Sequence, residues 1–323
     1  MHRRTLLSAA LLPFIAPARA EAAWPEHGVR VIVPFPPGGT TDIPARLVSA
    51  RWTEWWGQPV MVDNRAGASG VIGTEAAARA APDGYTLIFG NNQTHAANQA
   101  LIPRMPVNLA TDFVAIAPVC TIGVAVVVFA GLPARTLAEL IALGRSRPGG
   151  LSYASASVGS GAHLTAHALA QAAGFPATHV PYRGAAPAAT DLAAGVVDFM
   201  VASWASVAAL VAQGRVRVLA VASPTRMAEI PEVPTTAELG FPDVVGDIWV
   251  GVFAPAGTPG PIVARVNADT ARALAESGVR ERLLAGGFRP AAAMSPADYA
   301  TFHRAELTRW TRAVEDAGVS IND

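Results

Sequence analysis

The sequence predicts an α/β protein of two lobes joined by a hinge of two crossing strands. From Trp24 onward, apolar segments of strand length alternate with helical segments, which is typical of α/β folds with mostly parallel sheets. A length of 323 residues exceeds the usual size of one hydrophobic core. Two strands, Val124–Phe129 and 249–254, leave through corners rich in Pro and Gly, and we expect the chain to cross between lobes there. The predicted division is 21–123 with 252–323 for the first lobe and 124–251 for the second.

Residues 1–20 have the three parts of a signal peptide. Arg3 and Arg4 give a positive start, 6–15 is a short apolar run, and Ala18-Arg19-Ala20 is a cleavage site of small residues. The apolar run is too short to span a bilayer. We therefore expect an exported protein, and the Arg pair leaves both the general secretory and the twin-arginine routes open.

The composition excludes several classes of function. Removal of 1–20 leaves 21 basic against 24 acidic side chains, and the Arg residues are scattered singly, so no basic face suits nucleic acid. The chain contains no Lys, which excludes Schiff-base chemistry and Walker-type phosphate loops. Cys120 is the single cysteine, so no internal disulfide forms, and its apolar surroundings indicate a core residue.

Each element of the first lobe has a local signal. An apolar run, 29–35, is the first strand and ends at Pro36-Pro37-Gly38-Gly39; Asp42 then begins a helix that Gly57 ends. The further predicted elements are a strand at 59–62, a glycine-rich loop at 64–73, a helix at 74–80, a strand at 85–89 and a polar tip at 91–94.

The pattern resets for the second lobe. The predicted elements are strands at Val124–Phe129, Leu151–Ser155, 178–181, 197–201 and 216–222, and helices at 137–145, 162–172 and 187–194. After the return strand at 249–254, helices at 261–285 and Pro296–Ala317 are expected to pack on the first lobe.

Small and polar residues follow several strands of the predicted sheets. In open α/β sheets, ligands bind at the carboxyl ends of the strands. The Pro36–Gly39 turn contains no nucleophile, and its backbone N–H groups and following helix start suit an anion. A second loop of small residues, 155–161, precedes the helix at 162–172. Two such loops, one per lobe, suit a ligand with a carboxylate at each end.

Six motifs occur in order along the chain: PFPPGGTTD, NRAGASGVIG, APDGYTL, SYASASVGSGAHL, HVPYRGAAPA and VFAPAGTP. Together they resemble the tripartite tricarboxylate transporter substrate-binding receptors, also called the Bug family. The resemblance covers essentially all of the chain after the signal peptide. It implies a periplasmic receptor of the type II binding-protein (Venus flytrap) architecture, with no cofactor and no catalysis, that binds a small carboxylate, such as a di- or tricarboxylate, through backbone amides for uptake.

The resemblance also implies the site residues. The implied ligand-binding residues are Phe35, Pro37, Gly38, Gly39, Asp42, Asn91, Thr94, Ser155, Ser157, Gly159, Ser160, Gly161, His163, Gly184 and Ala185. The family often has Asp where this chain has Ala202, so a plain carboxylate is favoured here over an amino acid. A membrane permease is the implied partner, and a monomer suits a diffusing receptor.

Other functions would use some of the same residues. His163 and His167 have the spacing of a zinc pair, but the Glu of a metalloprotease and a third ligand are missing from the nearby sequence. Ser160, His163 and Asp191 could form a hydrolase triad, but no G-x-S-x-G elbow is present. A sensor that signals through a membrane partner would share the cleft. Arg183 could pair with an anion or lie at the rim.

Overall fold

The computed structural model describes residues 24–182 and 184–321; the predicted signal peptide and Arg183 lie outside them. Eleven strands of the described residues form two sheets, which confirms the predicted α/β class. The strands are β1 Val29–Val33, β2 Val60–Asn64, β3 Thr86–Asn91, β4 Phe113–Ile122, β5 Val124–Phe129, β6 Leu151–Ser155, β7 Ala177–Pro181, β8 Phe199–Ser203, β9 Val216–Val221, β10 Ile248–Pro255 and β11 Phe288–Pro290.

Both sheets are mixed, so the expectation of mostly parallel sheets is wrong. The first sheet has the order β11-β4-β10-β3-β1-β2, and β10 runs antiparallel to both of its neighbours. The second sheet has the order β7-β6-β8-β5-β9, and β5 is antiparallel to both of its neighbours. β5 and β10 are the strands by which the chain enters each lobe from the other, and both run opposite to the strand–helix–strand units beside them. The short β11 is also antiparallel to its neighbour, β4.

The chain passes between the sheets at two adjacent points. β4 of the first sheet ends at Ile122, and after Gly123 the chain continues as β5 of the second sheet. The return runs through Gly246 and Asp247 into β10, whose first residue, Ile248, pairs with Ile122. The two passages therefore lie side by side.

Helices cover both sheets. They are α1 Asp42–Trp56, α2 Val71–Ala78, α3 Asn98–Leu101, α4 Leu137–Ser146, α5 Gly161–Ala173, α6 Ala185–Ala193, α7 Trp204–Ala212, α8 Gly260–Ala275, α9 Ser277–Ala285 and α10 Pro296–Ala317. The helix predicted at 261–285 is two helices, because Glu276 is extended (φ −68°, ψ 131°). β4, β11, α3 and α7 were not predicted. No helix of the described residues is both long enough and apolar enough to cross a bilayer.

The longest helix, α10, ties the first sheet to the second lobe. The buried carboxylate of Glu306 accepts hydrogen bonds from the indole nitrogens of Trp249 (2.7 Å) and Trp310 (2.9 Å). Trp310 shares a buried apolar cluster with Leu164 of α5. The core of the first lobe thus extends across the cleft to the base of the second.

Two paired glycines make room for buried rings on one face of the first sheet. Gly90 of β3 lies opposite Gly251 of β10. His95 packs over Gly90 and the Tyr299 hydroxyl packs over Gly251, so closely that a Cβ at either glycine would overlap the ring above it. The His95 ring stacks on Phe253 at a centroid distance of 4.2 Å.

We expect Gly251→Ala to destabilise the fold by about 1–3 kcal/mol or more, because the added methyl group overpacks against Tyr299 and the backbone of β4. The measurement is the free energy of unfolding from urea titration. Gly278→Ala is the control, because Gly278 lies in α9 and a methyl group added there would have no atom within 4 Å beyond its own helix and chain neighbours. A Gly251→Ala protein as stable as the control would contradict this packing.

We expect stability to fall as the pH is lowered from 7.5 to 5.5. Burial, followed by the charge of His303, puts the pKa of His95 well below its ordinary value; burial also lowers the pKa of His303. Both rings are neutral in the fold, whereas the unfolded chain binds protons below a pH of about 6.5. The loss is about 1 kcal/mol for His95, and the lowered pKa of His303 acts in the same direction. Urea midpoints at the two pH values measure it, and equal midpoints would contradict it.

Candidate functional site

A cleft of about 290 Å³ lies where the carboxyl ends of strands from both sheets face each other. Its lining contains amides, hydroxyls and apolar side chains and, within the described part of the chain, no charged one. The lining residues are Phe35, Thr40, Asn91, Asn92, Gln93, Val124, Ala156, Ser157, Ser160, Gly161, Ala162, Ala185, Met200, Val201, Ala202, Ser203, Ser206 and Ile248.

Three helices of the second lobe begin at this cleft. α5 follows β6, α6 follows β7 and α7 follows β8. The lining includes the first residues of α5 and α6, and Ser203 and Ser206 at the start of α7. A helix start leaves its first N–H groups without intrahelical acceptors and carries a partial positive charge. The N–H groups of Gly161 and Ala162 therefore have no acceptor within α5. The hydroxyls of Ser203 and Ser206 lie at the start of α7. This wall can bind an anion without a cationic side chain.

The first lobe contributes mainly amide side chains. Asn91 ends β3, and its side-chain oxygen accepts from the N–H groups of Gln93 (3.0 Å) and Thr94 (3.1 Å). This bonding fixes the turn that presents Asn92 and Gln93 to the cleft. A Cβ at Gly161 would come within 3.0 Å of the Asn92 side-chain nitrogen, so this amide reaches the start of α5 from the opposite lobe.

The structure brings some of the implied site residues into the lining and leaves others behind it. Those that line the cleft are Phe35, Asn91, Ser157, Ser160, Gly161 and Ala185. Those outside the lining are Pro37, Gly38, Gly39, Asp42, Thr94, Ser155, Gly159, His163 and Gly184.

The Pro36–Gly39 turn bonds to its own helix. The Gly38 N–H, expected to face an anion, donates to the Asp42 carboxylate at 2.8 Å, and Asn64 donates to its other oxygen, also at 2.8 Å. Burial opposes ionisation of Asp42, but the hydrogen bonds from Arg46, Gly38 and Asn64 outweigh it and lower its pKa. Asp42 therefore holds the turn closed, and the neighbouring Thr40 is the residue that reaches the cleft.

Residues outside the lining in the second lobe also have structural contacts. Gly184 donates its N–H to the carbonyl of Ala156 at 2.8 Å. A Cβ at Gly159 would overlap Leu101 of α3, so this glycine permits close contact between the lobes. In the described residues, no group of three or more His, Cys, Asp or Glu side chains could hold a metal ion.

The proposed hydrolase triad is not assembled. The Ser160 hydroxyl donates to the carbonyl of Ser157, and the His163 ring accepts from a backbone N–H instead of facing Ser160. Asp191 accepts from the hydroxyl of Tyr182 at 2.8 Å. These three side chains thus have separate partners.

Part of the lining was not predicted from the sequence. The 91–94 tip was expected to line the cleft, and Asn92 and Gln93 belong to it. The residues not foreseen are Thr40, Val124, Ala156, Ala162, Met200, Val201, Ala202, Ser203, Ser206 and Ile248. Ala202 was singled out only for its departure from the family. Ser203 is a helix-start signal, and recognising α7 would have placed Ser203 and Ser206 at the strand edge.

Comparisons with known proteins agree with this architecture. The family described as "Tripartite tricarboxylate transporter family receptor" matches residues 44–319. Protein BugT of Bordetella pertussis is 36% identical, covering 95% of this chain and 94% of its own. The structure of R. palustris Rpa4515 with adipate has a TM-score of 0.81 at 36% identity, covering 92% and 99% of the two chains. MatC (Rpa3494) from Rhodopseudomonas palustris with bound malate has a TM-score of 0.77 at 34% identity, covering 90% and 100%.

These proteins are similar to this chain over nearly its full length, in sequence and in fold. The match spans both sheets and the cleft between them. The chain belongs to the tripartite tricarboxylate transporter receptor family, the Bug-type periplasmic solute-binding proteins.

Proposed function

We propose that this protein captures a small dicarboxylate with an apolar middle between its two lobes and does no chemistry on it. The observation that supports this is the cleft itself, in which three helix starts and several amides surround a space without a charged side chain in the described lining. Ligand contact with both lobes favours their closed arrangement over an open one.

Neutral donors are sufficient for a carboxylate here. Helix starts stabilise a nearby anion through unpaired N–H groups and the helix dipole. A buried Arg or Lys would add charge, but removing it from water carries its own cost. The N–H groups of Gly161, Ala162 and Ala185 are the donors we assign to one carboxylate. Thr40, Asn92 and Gln93 of the first lobe are assigned to the other.

Apolar side chains occupy the middle of the lining. Val124, Met200, Ala202 and Ile248 come from β5, β8 and β10, and Phe35 lines the cleft from the first lobe. Ala202 is 2% exposed and offers no carboxylate to a ligand ammonium group. A volume of about 290 Å³ is at the lower end of the range for ligand pockets, which suits a small acid. The adipate and malate complexes of the relatives support the same class.

Delivery follows from the family. We propose that the protein acts in the periplasm, reached by the secretory or the twin-arginine route, as a monomer that hands its ligand to a membrane permease. The lobe limits, 21–123 with 252–323 and 124–251, stay a prediction, as do the fifteen ligand-binding residues that the resemblance implies.

A thermal-stability panel on ligand-stripped protein tests the proposal. The panel contains succinate, glutarate and adipate, then malate and citrate, then aspartate and glutamate, then benzoate and phthalate. An acid present at a thousandfold over its dissociation constant stabilises the fold by about 4 kcal/mol. We expect the unsubstituted dicarboxylates to give the largest shift. No shift with any acid would contradict the receptor assignment, and the largest shift with glutamate would contradict the interpretation of Ala202.

We expect Ala202→Asp to weaken adipate binding at least about 100-fold, because it places a second anion beside the bound one, equivalent to roughly 2.7 kcal/mol. Isothermal titration measures the affinity. Ala209→Asp is the matched control, since Ala209 lies exposed on α7 away from the cleft. Equal affinities of the two variants would place the ligand elsewhere.

A further inference from the structure

Residues 156–160 form the loop between β6 and α5. Some of these residues line the cleft, and hydrogen bonds to neighbouring side chains hold the loop in place. Ala156, Ser157 and Ser160 line the cleft. The carbonyl of Ser157 accepts two hydroxyl hydrogen bonds, from Ser155 and from Ser160, each at 2.8 Å. The N–H of Gly159 donates to Nδ1 of His163 at 2.9 Å. The Ser157 carbonyl and the Gly159 N–H are thus bonded by the side chains of Ser155, Ser160 and His163. Of these three side chains, only Ser160 belongs to a residue that also lines the cleft.

The directions of these bonds are determined by the hydrogens available. The Ser155 hydroxyl has one hydrogen, and it is donated to Ser157, so at 2.7 Å from His179 Nε2 it accepts. His179 therefore carries its proton on Nε2. Because His163 Nδ1 accepts from Gly159, the neutral His163 ring carries its proton on Nε2 as well.

The two imidazoles support each other by stacking. The rings of His163 and His179 lie 3.6 Å apart between centroids with an interplanar angle of 7°. Tyr153 of β6 packs beside both rings. His163 is 3% exposed and lies outside the cleft lining, so it reaches a ligand only through the loop.

We propose that His163 is a positioning residue for ligand binding: its Nδ1, held in place by the stacked His179, fixes the Gly159 N–H and thereby the loop that presents Ser157, Ser160 and the start of α5 to the carboxylate. This role rests on the proposed function and adds a residue that the ligand does not contact. It replaces the direct ligand contact that the resemblance implies for His163.

The role requires a neutral His163. A proton on Nδ1 of His163 would make that nitrogen a donor facing the Gly159 N–H, and the hydrogen bond between them would be lost. Burial first, then the neighbouring His179 and His167, lower the pKa of His163 to about 3, and burial with His167 lowers that of His179 to about 4. The titratable groups around the ring are His179 of β7, His167 of α5 and Tyr153 of β6, and burial keeps this phenol neutral by raising its pKa to about 12. Protonation of His163 or His179 should accordingly contribute no change in affinity between pH 7.5 and 5.5.

Two substitutions separate the acceptor from the ring. His163→Asn keeps an acceptor oxygen at the position of Nδ1 and loses the stack, whereas His163→Phe keeps an aromatic ring and loses the acceptor. With adipate as the probe in isothermal titration, we expect His163→Phe to weaken binding about tenfold or more, the effect of one unpaired buried N–H. We expect His163→Asn to stay within about threefold of the unsubstituted protein.

Control variants come from the same helix. His167 lies one turn later, where its ring meets Gln171 instead of the loop, so His167→Phe should leave adipate affinity unchanged. Thermal unfolding of each variant confirms folding before titration. Equal affinity of His163→Phe and the parent protein, or equal losses in His163→Phe and His163→Asn, would overturn the proposal.

A measurement without ligand keeps this inference separate from the proposed function. Long-range ¹H–¹⁵N spectra of the imidazoles report which nitrogen carries the proton. We expect His163 to be protonated on Nε2 alone at pH 7 and the Gly159 amide to be protected from exchange. If no acid of the panel binds, the receptor assignment fails, while a doubly protonated His163 or an unprotected Gly159 overturns the positioning role on its own.

Discussion

The pairing of β4 with β10 is the interaction on which the arrangement of the whole molecule depends. One strand carries the chain out of the first lobe and the other carries it back, and they are hydrogen-bonded neighbours in one sheet. The two connections between the lobes therefore start from adjacent positions of the first sheet, next to the Ile122–Ile248 pair. The lobes are joined by two neighbouring segments. Such a link permits rotation about a local axis while it fixes which faces meet.

This geometry explains where the cleft lies and what it contains. Because both sheets direct the carboxyl ends of their parallel strands at the junction, the helix starts of the second lobe face the polar turns of the first. The strands at the junction are buried and apolar, so their residues supply the middle of the cleft. Asp247 stabilises the return passage, accepting from the Ser223 hydroxyl and from Arg289 at 2.8 Å. Burial raises the pKa of Asp247 against the effect of Arg289.

Local signals were enough to predict many elements. The limits of α1 and α10 matched, because Asp42 and Ser295 start them and Gly57 and Gly318, both at positive φ, end them. β4 was missed because only Gly123 separates it from β5 in one long, mostly apolar run, and no periodicity distinguishes the two strands. The order of mixed strands depends on contacts between distant segments, which a local pattern does not contain.

Site residues in loops that follow a strand could be predicted from the sequence. Site residues that reach the cleft only through the packing of the two sheets could not. Ser160 and Gly161 lie at the end of the loop that follows β6, so the rule that ligands bind beyond the carboxyl ends of strands located them. Met200 and Ile248 are ordinary apolar strand residues, and only the meeting of two sheets exposes them to the cleft. Gly38 was assigned a ligand because its turn has the right shape, yet Asp42 takes its N–H. Turn geometry alone does not say whether a donor is free.

The single cysteine has a practical consequence for watching the lobes move. Cys120 is 1% exposed on β4, and burial raises the pKa of its thiol, so it is a poor target for thiol reagents in the folded protein. A cysteine introduced at the rim of the cleft would therefore be the one reactive thiol on the molecule. An environment-sensitive dye attached there would turn this receptor into a reagentless optical sensor for its own acid, without any residue having to be removed first.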